Sequence, residues 1–292
     1  GRLDATNVLS PRVSVITGIG LDHQAYLGPT LADIAREKGG IIKPGVPVVI
    51  GRVDAESRAL LSGLARERGS AAYVFGRDFI SCDRQDEGID YQGLTWRLSG
   101  LRLGLRGRFQ HDNAALALAA LELIQASFPV SADTIRQGLR AATWPGRLDV
   151  VSEQPLVILD GAHNPQAVET LLAELPTLLR GRQVKLLFSV MRDKDWKAMV
   201  PLLARVATEV VVTRVPQARA EEPAVLQAAF APFCPVRVIV SAQEACQQLM
   251  AEAGPDEAVV VCGSLFLVAE VYPLFSPTFA PLPQQQVREA GR

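Results

Sequence analysis

Asp160 and His163 stand three positions apart in Pro155-Leu-Val-Ile-Leu-Asp-Gly-Ala-His-Asn-Pro165, and their neighbours define what those side chains could do. An apolar run of strand character ends at Asp160. Gly161-Ala162 makes a tight turn, Asn164 suits a helix N-cap and Pro165 suits the first helical position. A carboxylate and an imidazole are therefore expected where a strand ends and a helix begins. Unpaired backbone N–H groups and the positive end of the helix dipole attract anions there, phosphates above all. The bland alternative makes Asp160 a turn former and His163 a solvated surface residue. The coincidence of strand, polar pair and capped helix start favours function.

Two further turns share this placement. Met191-Arg-Asp-Lys194-Asp carries a lysine, with Asp193 expected to cap the next helix. Cys262-Gly-Ser264 carries Ser264 as a cap. If the strands before these turns run parallel, all three turns line one rim, with phosphate on one side and a small carboxylate on the other. Plain capping explains Asp193 and Ser264 equally well. Arg147, in Trp144-Pro-Gly-Arg-Leu-Asp149, lies on a seam between two halves. There a guanidinium either reaches a phosphate or pairs with a carboxylate such as Asp149.

In the first half, His23 follows Gly20-Leu-Asp22 after a strand, and Lys38 ends the next helix just before Gly39-Gly40. The bland readings are a surface histidine and a helix-dipole lysine. One short loop and one helix join them, so the two can converge. Mg²⁺ takes oxygen ligands and an ammonium offers none, so a metal role requires Lys38 as a carbamate. Only a neutral amine reacts with CO₂, so such a site has to lower that lysine's pKa. Asn113 is expected to begin an apolar helix, as its cap or as an amide that reads a base edge.

The elements that hold these residues fall into two halves, 1–143 and 144–292. The first reads as strands near Val13–Ile19 and Val46–Ile50, helices at 31–38 and Asp54–Arg68, short antiparallel strands over 71–107, then two helices from Asn113 and Ser131. The second alternates strand and helix with little interruption, which implies a parallel sheet with helices on both faces and ligands at the strands' carboxyl ends. The fold class expected is α/β: an incomplete P-loop-type domain followed by a Rossmann-like doubly wound domain.

The chain has 292 residues, 48% of them hydrophobic, enough for two cores. A formal net charge of −1 argues against nucleic-acid binding. The four cysteines lack CxxC spacing and read as reduced, mostly buried thiols of a cytoplasmic protein. No apolar run reaches the roughly 18 residues of a membrane span.

Taken in order, Gly1-Arg-Leu-Asp-Ala-Thr-Asn7, Gly20-Leu-Asp-His23, Arg36-Glu-Lys-Gly-Gly-Ile-Ile-Lys43, Pro145-Gly-Arg-Leu148, Leu159-Asp-Gly-Ala-His-Asn-Pro165, Asp193-Lys-Asp195 and Gly263-Ser-Leu265 cover nearly the whole chain. This ordered set resembles the folylpolyglutamate synthase and dihydrofolate synthase family of the Mur ligase superfamily. The resemblance implies a monomeric enzyme that joins L-glutamate to a pteroate or folate carboxylate with MgATP, through an acyl phosphate. It implies His23 and carbamylated Lys38 on Mg²⁺, and Asn113, Arg147 and Asp160 on ATP, with Arg147 near the phosphates. It sets His163 near the transferred phosphoryl group, Lys194 and Ser264 near the incoming glutamate, and Asp4 and Thr6 near the pterin substrate. Residues 1–143 would belong to the ATP-binding central domain and 144–292 to the glutamate ligase domain.

Two departures stand out. Gly39 replaces a more usual Ala. The phosphate cradle G-x-x-x-x-G-K-[ST] is missing, since no Gly-Lys dipeptide occurs. The family carries that cradle, and a further Mg²⁺-binding Glu, ahead of the Gly-Arg-Leu-Asp motif. The resemblance therefore implies the carboxyl-terminal portion of such an enzyme, inactive alone. The competing readings are a Mur-type ligase of cell-wall synthesis and a non-catalytic remnant that binds ATP or glutamate.

Overall fold

The computed structural model describes residues 1–21, 27–84 and 88–276, in two compact units, Gly1–Thr143 and Trp144–Arg292. In the first, β1 (Ser14–Ile16), β2 (Val48–Ile50) and β3 (Ala72–Val74) form a parallel sheet in that order. The helices α1 (Leu31–Gly39) and α2 (Ala55–Glu67) connect these strands. Thr30 and Asp33 close a reciprocal capping box on α1, as their spacing anticipates, and Asp54 caps α2. All three residues of β2 are fully buried, which is why Val48-Val-Ile50 shows no alternation. Val48 and Ile50 pack on Ile34, Ala35 and Leu61, while Val49 faces the opposite cluster around Leu116 and Leu118.

β3 corrects the expectation that 71–107 is wholly antiparallel. It follows a helical crossover, and a crossover returns the chain parallel. Only β4 (Ile80–Asp83), β5 (Gly88–Gln92) and β6 (Arg97–Arg102) make the antiparallel sheet. Then come α3 (Phe109–Ile124) and α4 (Ala132–Ala141), the latter capped by Ser131. α3 begins four residues before Asn113. Its N-cap, Arg108, makes no side-chain capping bond, so the sequence holds no local start signal there, and Asn113 lies inside the helix.

The second unit contains β7 (Asp149–Glu153), β8 (Leu156–Leu159), β9 (Gln183–Phe188), β10 (Ala207–Val212), β11 (Val236–Val238) and β12 (Glu257–Cys262). They form one sheet in the order β11-β10-β9-β12-β8-β7. Every neighbouring pair is parallel except β7 with β8. Its helices are α5 (Pro165–Leu179), α6 (Trp196–Ala204), α7 (Pro223–Phe230), α8 (Ala242–Glu252) and α9 (Leu265–Val271). On one face Val157, Leu187 and Val259 pack with Ala245 and Leu249 of α8 and Leu267 of α9. On the other Phe188 meets Phe230 of α7 edge-on at 5.5 Å. This is the doubly wound arrangement expected, with β7 as an unanticipated antiparallel edge.

α6 starts at Trp196 with Asp195 as its cap, not Asp193. The Lys194 N–H bonds to the Met191 carbonyl in a turn before the helix, and Asp193 pairs with Arg219 at 3.2 Å. Of the thiols, Cys246 and Cys262 are buried, Cys234 is half-buried and Cys82 is exposed, so the expected burial holds for only part of the set. Burial pushes the Cys246 thiol up to about 12. Among the described residues no helix is long and apolar enough to cross a membrane.

Candidate functional site

The turns after β8, β9 and β12 follow three strands that are adjacent in the sheet, so the anticipated rim exists in the second unit. The loops also touch. The Gly263 N–H donates to the Ala162 carbonyl at 2.8 Å. Gly263 has φ +107°, and a Cβ there would come within 2.5 Å of the Ser189 carbonyl oxygen, so only glycine permits this approach.

Asp160 is the anchor of the rim and is only 6% exposed. Its Oδ1 accepts from the Ala162 N–H at 2.8 Å and its Oδ2 from the Leu148 N–H at 2.9 Å. One carboxylate thus joins the turn after β8 to the strand-entry segment that carries Arg147. That segment is held in unusual backbone geometry. Leu148 has φ 44° and Gly146 φ +70°, and a Cβ on Gly146 would fall 2.7 Å from Val268 Cγ1. The Gly146 carbonyl accepts from the Gly161 N–H at 2.8 Å.

Asp149 accepts from the Gly146 N–H and bonds to the Tyr272 hydroxyl, so it is not the ion-pair partner the sequence offered for Arg147. Among the described residues Arg147 forms no ion pair. Its charge acts on Asp160 through space.

Burial pushes the Asp160 carboxyl above its usual 3.8, against the pull of two backbone N–H groups and of Arg147 and His163. A folded-state value above the unfolded one means that ionising Asp160 costs stability as pH rises past the unfolded value. Asp160→Asn puts an amide donor against one of the two backbone donors. We expect it to destabilise the second unit by about 2 kcal/mol and to flatten that pH slope, read by urea denaturation at pH 4 and pH 7.

His163 is oriented by its own turn. Its Nδ1 lies 2.7 Å from the Gly161 carbonyl, which can only accept, so Nδ1 is the donor in this contact. Asn164 caps α5 through the Ala167 N–H. Ser264 is 3% exposed, and its Oγ accepts from the Phe266 N–H. Lys194 is half-buried on the β9 exit loop.

The first unit has its own rim. Lys38 Nζ donates to the Gly18 carbonyl just past β1 at 3.1 Å. Arg52, just past β2, forms a two-pronged pair with Asp112 of α3 at 2.8 and 3.2 Å and stacks 4.6 Å over Phe75, just past β3. These contacts fix the start of α3 against the strand exits. Asn113 lies there, its Nδ2 donating to Oε1 of the buried Gln110 at 2.9 Å.

Sequence reasoning missed Arg52 and Gln110. No motif marks them, because their partners lie on other elements or a helical turn away. Asp4 accepts from both the Thr6 N–H and hydroxyl, at 2.8 and 2.5 Å, in a short exposed turn. His23 lies outside the described residues. Among the described residues no group of three or more His, Cys, Asp or Glu is placed to hold a metal. Lys38 fits an Mg²⁺ site only as a carbamate.

Residues 146–265 match the family described as Mur ligase, glutamate ligase domain. The chain is 34% identical over 277 residues to the folylpolyglutamate synthase of Lacticaseibacillus casei, covering 93% of this chain and 64% of that protein. It is 30% identical over 284 residues to a probable dihydrofolate synthetase of Schizosaccharomyces pombe, covering 93% of this chain and 68% of that one. The chain belongs to the folylpolyglutamate and dihydrofolate synthase family.

A solved family structure, the bifunctional Yersinia pestis enzyme complexed with AMPPNP and a Mn ion, superposes with a TM-score of 0.82 at 34% identity, covering 94% of this chain and 64% of that one. The chain therefore spans just under two thirds of two of these three family members. The segment matched to the glutamate ligase domain begins at Gly146, the glycine that shapes the Arg147 turn, and ends one residue past Ser264.

Proposed function

We propose that this chain works in an ATP-dependent ligase that adds L-glutamate to dihydropteroate, to folates, or to both, through an acyl phosphate. One observation carries the reading. Asp160, on the carboxyl rim of the parallel sheet, bonds the Leu148 N–H next to Arg147 and feels the charges of Arg147 and His163 through space, all inside the segment that matches a glutamate ligase domain.

In the first step the acceptor carboxylate attacks the γ-phosphorus of ATP and ADP leaves. In the second the glutamate amine attacks the acyl carbon, phosphate departs with the C–O electrons, and the amine loses a proton. Such chemistry is mostly positioning and charge neutralisation. Arg147 takes the charge that develops on the transferred phosphoryl group, with Asp160 holding its backbone and contributing to the ATP site. His163 sits beside that group.

Lys194 offers its ammonium to a glutamate carboxylate, and Ser264 orders the loop facing it. Asn113 reads the base edge of ATP with its amide orientation set by Gln110. Asp4 and Thr6 serve the pterin end. We assign Mg²⁺ to His23 and to Lys38 as a carbamate, where the ion would neutralise phosphate charge.

The test is ADP release by the full reading frame with dihydropteroate or tetrahydrofolate, with and without L-glutamate, beside these 292 residues alone. Glutamate-dependent release by the full frame is expected. The 292 residues alone are expected to release none, since their sequence holds no phosphate cradle. No release from either pterin overturns the folate reading.

Lys38 supplies a separate check. We expect activity of the full frame to fall in CO₂-depleted acidic buffer and to return with bicarbonate. Lys38→Ala is expected to be inactive until short carboxylates are added. Full activity of that variant without them removes the carbamate assignment.

A further inference from the structure

A second polar cleft opens on the rim of the second unit, beyond the Arg147 constellation. It is an open cleft of about 450 Å³ where β10 and β11 end and where α8 and α9 approach each other. Its walls are cross-linked. The Thr213 hydroxyl donates to the Val240 carbonyl at 2.7 Å, tying the two strand exits together. Gln243 Nε2 donates to the Glu270 carbonyl at 3.0 Å, tying α8 to α9. The buried Val215 and Ala242 contribute apolar wall. Arg214, Gln217, Ser241 and Glu270 supply the polar lining.

The lining carries both charge signs. Arg214 reaches Glu222 at 3.1 Å, but both side chains are about half exposed, at 43% and 51%. An ion pair of that kind holds its partners weakly, so a ligand carboxylate can take the place of Glu222. Glu270 forms no ion pair among the described residues. A preformed cleft with a cation, an anion, amides and a hydroxyl suits a small molecule that carries carboxylate and ammonium together. Its position at the carboxyl ends of parallel strands is where such sheets bind ligands.

We propose that this cleft binds a free α-amino acid as its zwitterion, with the carboxylate on Arg214 and the ammonium on Glu270. The site is separate from the Lys194 and Ser264 loops assigned to the incoming glutamate, and it does not depend on the ligase reading.

The test is amide NMR of the 292-residue chain titrated with L-glutamate as the probe, and in parallel with glutarate, which lacks the ammonium. Saturable shifts are expected at Val215, Ala218 and Ala242 with L-glutamate. Arg214→Ala and Glu270→Gln should each weaken them by about tenfold or more, because each removes a charge-assisted bond. Lys194→Ala should leave them unchanged. Both cleft variants replace accessible side chains, and an unaltered spectrum elsewhere confirms their folding. The proposal is overturned by an absence of saturable shifts at these residues, by glutarate binding as tightly as L-glutamate, or by Glu270→Gln binding like the parent.

Discussion

Arg147→Ala lowers glutamate-dependent ADP release of the full reading frame by about 10²–10³-fold, the usual effect of removing one preorganised charge from a phosphoryl- or acyl-transfer site. The reason lies in how little else engages this guanidinium. It has no ion pair among the described residues, whereas the backbone beneath it is fixed at three points: the left-handed Leu148, the close-packed Gly146 and the Leu148 N–H held by Asp160. A guanidinium with no hydrogen bond or ion pair among the described residues, on an over-determined backbone, suits the phosphate role proposed for it. Truncation removes no hydrogen bond seen within the fold, so the melting temperature should change little while turnover collapses. Arg147→Lys should recover only a small part, because a point charge cannot reproduce a planar two-pronged contact. Steady-state rates with ATP varied, read beside thermal melts, check both halves. Turnover within a few-fold of the parent would falsify the assignment.

Local chemistry explains which parts of this fold were legible beforehand. α5, α7 and α9 begin where a capping residue or a proline at the first turn announces each of them. The Asp160 turn was legible for the same reason. Parts that depend on distant contacts were not. β7 reads Asp-Val-Val-Ser-Glu, and only pairing with β8 makes it a strand. Nothing local to α3 marks its start at Phe109. Leu148 has a positive φ, and its N–H is held by Asp160 from twelve residues away. The sequence therefore indicated which polar side chains lie on the second unit's rim, but not that Asp160 holds the Arg147 segment. In the first unit Lys38 and Asn113 were legible as polar residues on helices, but the Arg52–Asp112 pair and Gln110 beside them were not.

Glu122→Ala should cost the first unit about 3 kcal/mol, a large loss for a side chain near the end of a helix. Glu122 lies in the last turn of α3, yet all its partners belong to the β5–β6 hairpin. Oε2 accepts from the Tyr91 hydroxyl at 2.6 Å and from the Leu94 N–H at 3.0 Å. Oε1 accepts from the Thr95 and Trp96 N–H groups at 2.7 and 2.6 Å and from the Thr95 hydroxyl at 3.1 Å. One carboxylate thus satisfies three successive backbone donors of a turn and the hydroxyl of the nearly fully buried Tyr91, which no water readily replaces. Burial raises the carboxyl pKa, but these donors outweigh it and hold the value below the usual 4.5. Because the folded-state value is depressed, the stabilisation is present above pH 4.5 and is lost as pH falls through the lower folded value. For a unit of this size the loss corresponds to roughly 6–12 °C in melting temperature at neutral pH. The gap between parent and variant should narrow below pH 4.5 as the parent loses its ionised acceptor. Glu122→Gln keeps one acceptor oxygen but turns a donor toward either the Leu94 or the Trp96 N–H, so it should fall between the two and lose the acid-side slope. Thermal melts of all three proteins at pH 7 and pH 4 decide the matter. Equal melting temperatures at pH 7 would mean that water replaces the carboxylate and that the hairpin is held by its apolar face alone.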